Sequence, residues 1–249
     1  MSTAKHDKLH ELLTDLKLTY IAEHYRETLD EASRKNTSVL DVLLELINGQ
    51  VSERLSRALA RRVRDAHLPK AKTLSEYNFD FPKRISKQKV LRLFDCQFID
   101  QYGCAVLIGP TGVGKTHLLT ALGYVACEKG ITVRFTRAID MINVLTTAQL
   151  NGTLEKKLRE YVRPQLLLLD ELGYLPIDKR GADLMFQVVA ARYESGSIVV
   201  STNRAFKDWG HIFDVDNTLA TAMIDRLMHH GEAIVIQGDS YRTKDGTQE

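Results

Sequence analysis

The stretch Gly109-Pro110-Thr111-Gly112-Val113-Gly114-Lys115-Thr116 constrains this chain more than any other. It fits G-x-x-x-x-G-K-[ST] at each fixed position, follows the apolar run Cys104–Ile108 and opens a helical segment. Glycines so placed let the backbone curl until several N–H groups face one anion, and a helix N-terminus adds its positive end. The expected ligand is ATP, held by residues 109–117, so that His117 closes the binding segment. Lys115 is expected to bridge the β- and γ-phosphates and the Thr116 hydroxyl to ligate Mg²⁺.

Leu166-Leu167-Leu168-Leu169-Asp170-Glu171 supplies the second half of such a site. An apolar strand buried in a sheet delivers Asp170 at its C-terminal edge, where ligands of α/β proteins sit. Asp170 is expected to hold Mg²⁺, and Glu171 to orient and deprotonate the attacking water. A small-molecule kinase has no need of that second acid, so Glu171 favours hydrolysis. Ile198-Val199-Val200-Ser201-Thr202-Asn203 adds a third strand. Asn203 at its tip is the candidate contact to the γ-phosphate and the water, a turn-forming Asn being the plain alternative.

Apolar runs at 104–108, 131–135, 166–169, 198–201 and 233–236 alternate with helical segments. That alternation predicts βαβ crossovers and an α/β fold with a mainly parallel five-stranded sheet covered on both faces. Upstream, Leu9, Leu12, Leu13, Leu16 and Leu18, then Val39, Leu40, Leu43, Leu44, Leu46 and Ile47, give apolar helical stripes. Asn48-Gly49 reads as a break between helices. The expected organisation is a small all-helical domain over 1–67, a linker over 68–90 and the α/β body over 91–249. No apolar stretch approaches the roughly 20 residues of a membrane helix. The charged start is unlike a secretory signal, and three cysteines without metal spacing suit a reducing cytoplasm.

The net charge of +2 conceals a basic block: residues 54–92 carry 12 Lys/Arg against three acids, a local +9, leaving −7 for the other 210 residues. Within it, Arg54, Arg57, Arg61 and Arg64 share one face of a helix, with Arg62 beside them. Guanidiniums along one face suit phosphate tracking on double-stranded DNA without reading the bases; docking to an acidic protein patch is the alternative. His6 and His10 lack a third metal ligand and read as a solvated helix face. His229-His230 reads as a helix cap, phosphate contact being the alternative. Phe79 and Phe81 are candidates for packing on the adenine, or for ordinary core packing.

Taken together, these features resemble the DnaC/IstB group of AAA+ ATPases, and within it the IstB family of insertion-sequence helpers. The resemblance rests on the leucine-rich start, the Arg-helix ending Ala66-His67-Leu68-Pro69, and Asn78-Phe79-Asp80-Phe81. It extends through Gly109–Thr116, Leu166–Leu175, Ser201-Thr202-Asn203, Asp225-Arg226-Leu227 and Ser240-Tyr241-Arg242. It implies a P-loop AAA+ core and a homo-oligomer closed through the ATP site. Arg226 is then a finger acting on a neighbour's nucleotide, with Arg204 as its rival, and Arg242 a sensor arginine. About a dozen residues follow the last strand, so no C-terminal lid domain is expected. The implied role is an ATPase that gathers on duplex target DNA and assists a cognate transposase. A DnaC-like helicase loader, or a DNA adaptor that binds ATP without turnover, are the alternatives.

Overall fold

A computed structural model describes residues 2–213 and 217–241. By its internal contacts the chain divides into Met1–Arg61 and Arg62–Glu249.

The first unit is helical. It contains α1 (Ser2–Asp15), α2 (Thr19–Lys35) and most of α3 (Val39–Asp65), which crosses the boundary. Leu13, Ala22, Tyr25, Val42 and Leu46 form its small core. The Tyr25 hydroxyl ties α2 to α1 by donating to the His6 carbonyl at 3.0 Å. The expected break at Asn48-Gly49 does not occur, and α3 runs straight through. Gly49 serves packing instead: a Cβ there would stand 2.0 Å from the Tyr20 ring. His6 stacks on Tyr25, and His10 Nδ1 lies 3.2 Å from the Ala22 carbonyl, so both histidines pack within this unit.

In the second unit, segment 68–90 carries a 3₁₀ turn at Leu74–Glu76, capped reciprocally by Thr73 and Glu76, and leads into α4 (Lys87–Phe94). Beyond it come β1 (Cys104–Ile108), α5 (Lys115–Glu128), β2 (Val133–Arg137), α6 (Ala138–Leu150) and α7 (Leu154–Val162). The rest is β3 (Leu166–Leu172), α8 (Lys179–Arg192), β4 (Ser197–Thr202), α9 (Asn217–His229) and β5 (Gly231–Val235). The five strands form one sheet in the order β2-β3-β4-β1-β5, with every pairing parallel. Leu166 to Leu169 are fully buried because β3 lies inside the sheet with both faces covered. One core gathers Met141, Leu145, Met185, Val188, Trp209 and Met223 from helices α6, α8 and α9 and the segment before α9. Leu118, Leu119 and Leu122 bury the inner side of α5.

Arg192, 1% exposed, is an unusual core residue. Its guanidinium donates to the carbonyls of Tyr161, Val162, Pro164, Gln165 and Ser197 at 2.7–3.0 Å. It thereby ties the end of α7 to the starts of β3 and β4. Burial pulls its pKa down to about 10. Among the described residues no helix is long and apolar enough to cross a membrane.

Candidate nucleotide site

The phosphate loop joins β1 to α5 at the C-terminal edge of the sheet. Two of its glycines are in the left-handed region, Gly112 at φ +85° and Gly114 at φ +90°. Space forbids a side chain at both. A Cβ on Gly112 would meet Ser240 Oγ at 2.0 Å, and one on Gly114 the Tyr77 ring at 2.6 Å. Lys115 is 4% exposed, and its ammonium donates to the Gly109 and Pro110 carbonyls at 2.7 Å each. The lysine charge is therefore held inside the loop, at the N-terminus of α5.

Segment 72–82 and the 238–241 segment enclose the loop. Tyr77 donates to the Val113 carbonyl at 3.1 Å, and burial pushes its pKa up to about 12, which keeps the phenol a neutral donor. The Tyr241 N–H donates to the Gly112 carbonyl at 3.0 Å, while its ring meets Phe81 edge-on at 4.7 Å. His117 lines the cavity, but its Nε2 is 2.7 Å from the Thr73 carbonyl, so that nitrogen donates to segment 72–82. Phe81 lines the same cavity, and Phe79 packs edge-on to Tyr77.

Asp170, 2% exposed, accepts a hydrogen bond from the Ser201 hydroxyl across the β3–β4 pair. The same Ser201 oxygen accepts the Glu171 N–H at 3.1 Å. Here the β3–β4 register slips between Leu169 and Leu172, and Glu171 takes φ +60°. Such a conformation costs a non-glycine residue about 1 kcal/mol or more and persists only where the surroundings enforce it. Ser201 supplies that enforcement. The Glu171 side chain consequently leaves the strand alternation and lines the cavity shared with the phosphate loop. Glu171 also lines, with Thr116 and Asp170, an open groove beside β2. Thr116, Asp170 and Glu171 are thus brought together, as a hydrated divalent cation and a water nucleophile require.

Asn203 stands half-buried just past β4, and its Oδ1 is buried without a protein partner. Arg204 is exposed; its own N–H donates to Thr202 Oγ1. Arg226 lies elsewhere. Helix α9 leads through His230 into β5, whose first residue pairs with Cys104 at the start of β1. Arg226 shares a small cavity with Cys104, Tyr193 and His230 at this N-terminal edge of the sheet. The phosphate loop begins at the other end of β1, roughly 15 Å away at about 3.3 Å per residue. The Tyr193 hydroxyl meets His229 Nδ1 at 2.9 Å, and His230 Nε2 lies 3.7 Å from Glu194. Both histidines are therefore far from their own phosphate loop. Arg242 lies outside the described residues.

Arg54, Arg57, Arg61 and Arg64 are exposed. Arg57 pairs with Glu53 and Arg64 with Asp65 at the surface. Arg62 is half-buried and donates to the Cys127 carbonyl at 2.8 Å, so this guanidinium is already engaged within the α/β unit.

With this geometry in place, the family model described as "IstB-like ATP binding protein" matches residues 11–249. The chain belongs to the IstB-like family. Among its relatives, the IS5376 insertion-sequence ATP-binding protein of Geobacillus stearothermophilus is 36% identical over 239 residues, spanning 96% of this chain and 95% of that one. The corresponding IS21 protein of Pseudomonas aeruginosa is 36% identical over 238 residues, 96% of this chain and 89% of that one. Among solved structures, the DnaC helicase loader matches with TM-score 0.56 at 22% identity, covering 66% of this chain and 96% of that one. DnaA of Aquifex aeolicus bound to AMPPCP matches with TM-score 0.58 at 23% identity, covering 70% and 52%. IstB-like membership and this shared fold make the α/β unit a P-loop AAA+ domain of an ATP-binding family.

Proposed function

We propose that this IstB-like protein hydrolyses ATP and, by assembling on duplex DNA, assists the transposase of its insertion sequence. The observation that carries the reading is the Asp170–Ser201–Glu171 arrangement, from which Glu171 enters the phosphate-loop cavity and Asp170 lies beside Thr116. A site that only bound nucleotide would have no use for a second acid held at φ +60° beside the first. Lys115 and the loop amides hold the phosphates, and Thr116 with Asp170 would hold Mg²⁺, which supplies charge neutralisation on the phosphate oxygens when bound. Glu171 takes the proton of the attacking water. Asn203 orients that water against the γ-phosphate, which agrees with its partnerless Oδ1.

Arg226 serves a neighbouring copy. Its place at the far edge of the sheet supports a trans role and disfavours action on its own nucleotide. Fingers of this kind accelerate phosphoryl transfer by about 10³–10⁵-fold and make turnover depend on assembly. Arg242, outside the described residues, serves as the sensor arginine that the Ser240-Tyr241-Arg242 motif suggests. Arg54, Arg57, Arg61 and Arg64 track DNA phosphates. The insertion-sequence relatives support a transposase as the partner.

Light scattering on the full chain tests this reading. A large particle that forms only with both duplex DNA and a slowly hydrolysed ATP analogue is the expected result. A monomer under every condition would overturn the assembly mechanism and favour a helicase-loader role.

A further inference from the structure

We infer that Phe186 and Tyr193 are positioning residues for Arg226, forming an aromatic cradle that holds its guanidinium ready for a neighbouring copy's nucleotide. This rests on the finger reading of Arg226 above. The guanidinium carbon lies 4.8 Å from the Phe186 ring centroid and 6.0 Å from that of Tyr193. The two rings come from the same face of α8 and its C-cap, two turns apart. Arg226 Nη1 donates to the Ala222 carbonyl at 3.0 Å, one turn back on α9. Among the described residues no carboxylate lies within ion-pair distance of it.

This environment suits a finger better than a structural arginine. A carboxylate partner would offset the guanidinium's charge and occupy its donors. Aromatic faces attract the cation through the ring quadrupole and leave the N–H donors of the fork, other than the one Nη1 gives to Ala222, open to phosphate oxygens. Arg192 on α8 shows the contrary design, with its Nη1 and Nη2 donors committed to five carbonyls. The cradle is itself braced. Tyr193 is fixed through its hydroxyl on His229 Nδ1, and Glu194 at φ +54° turns the chain out of α8 directly after it. Without the rings, Arg226 would sample its rotamers freely and meet the neighbouring site in the productive one only part of the time.

The test uses full-length chains, with turnover measured alone and in mixtures with Lys115→Ala subunits. Those subunits cannot use ATP but still offer an intact finger and cradle. Phe186→Leu and Tyr193→Leu should lower kcat about 3- to 30-fold, the range of a lost cation–π contact, with ATP affinity unchanged. Mixing with Lys115→Ala subunits should restore turnover, and Phe186→Tyr, which keeps an aromatic face, should retain far more activity than Phe186→Leu. Arg226→Ala in the same mixing experiment separates the two claims. If Arg226→Ala is rescued while the Leu variants show no kcat loss, or a loss that mixing does not repair, the cradle is refuted and the finger stands. If Arg226→Ala is not rescued, the finger reading falls and the cradle with it.

Discussion

Replacing Ser201 by Ala should disable the site by releasing the two acids that its hydroxyl holds. The hydroxyl donates to the buried Asp170 carboxylate and accepts the N–H of Glu171. Hydrogen bonds to charged groups contribute about 1.5–3 kcal/mol, and an orphaned buried N–H costs about 1–3 kcal/mol. The two losses share one atom and are not fully additive, so a net destabilisation of about 3 kcal/mol is expected. For a unit of this size each kcal/mol moves Tm by roughly 2–4 °C, so the melting transition should fall by about 6–12 °C. Function should suffer more than stability at temperatures where the fold survives, because Glu171 keeps φ +60° only while its N–H is held. Circular-dichroism melts and steady-state phosphate release at 20 °C measure the two effects. A Tm within 2 °C of the parent together with unchanged turnover would refute the argument that Ser201 organises both acids.

Three further outcomes follow from the geometry. Gly112→Ala should abolish ATP binding in an equilibrium titration, because φ +85° and the Ser240 hydroxyl both reject a Cβ; retained affinity would show that the loop and residue 240 separate readily. Burial raises the folded-state pKa of Tyr77 to about 12, above its ordinary value of 10, so unfolded chains hold fewer protons between those values and this group lowers stability as pH rises from 10 towards 12. Tyr77→Phe should flatten that alkaline decline in denaturant titrations, and an unchanged slope would contradict the assignment. Replacing Arg54, Arg57 and Arg61 by Ala should weaken duplex binding similarly across sequences and reduce the salt slope by about 2–3; an unaltered slope would remove this face from the DNA site.

What could be read from the sequence was whatever sits in one contiguous stretch. The phosphate loop and the Asp170-Glu171 pair announce themselves because strand, turn and helix are consecutive, and the parallel sheet follows from the same alternation. Ser201 gave no comparable signal. Its role exists only because β4 lies beside β3, a neighbour relation that one strand's composition does not encode. Tyr77 and Ser240 were hidden for the same reason, since each reaches the loop from a distant part of the chain. Gly49 misled because a glycine that admits a neighbouring ring looks identical, in sequence, to one that ends a helix. Arg62 reads as one more basic residue of an Arg-helix, although its guanidinium is turned to a main-chain carbonyl.

The central claim, that Glu171 makes this nucleotide site hydrolytic, is tested most directly by Glu171→Gln. ATP affinity and phosphate release should be measured side by side, with and without duplex DNA. ATP binding should match that of the parent, and turnover should fall by at least about 100-fold, as loss of a general base entails. Turnover equal to the parent's would refute a catalytic Glu171.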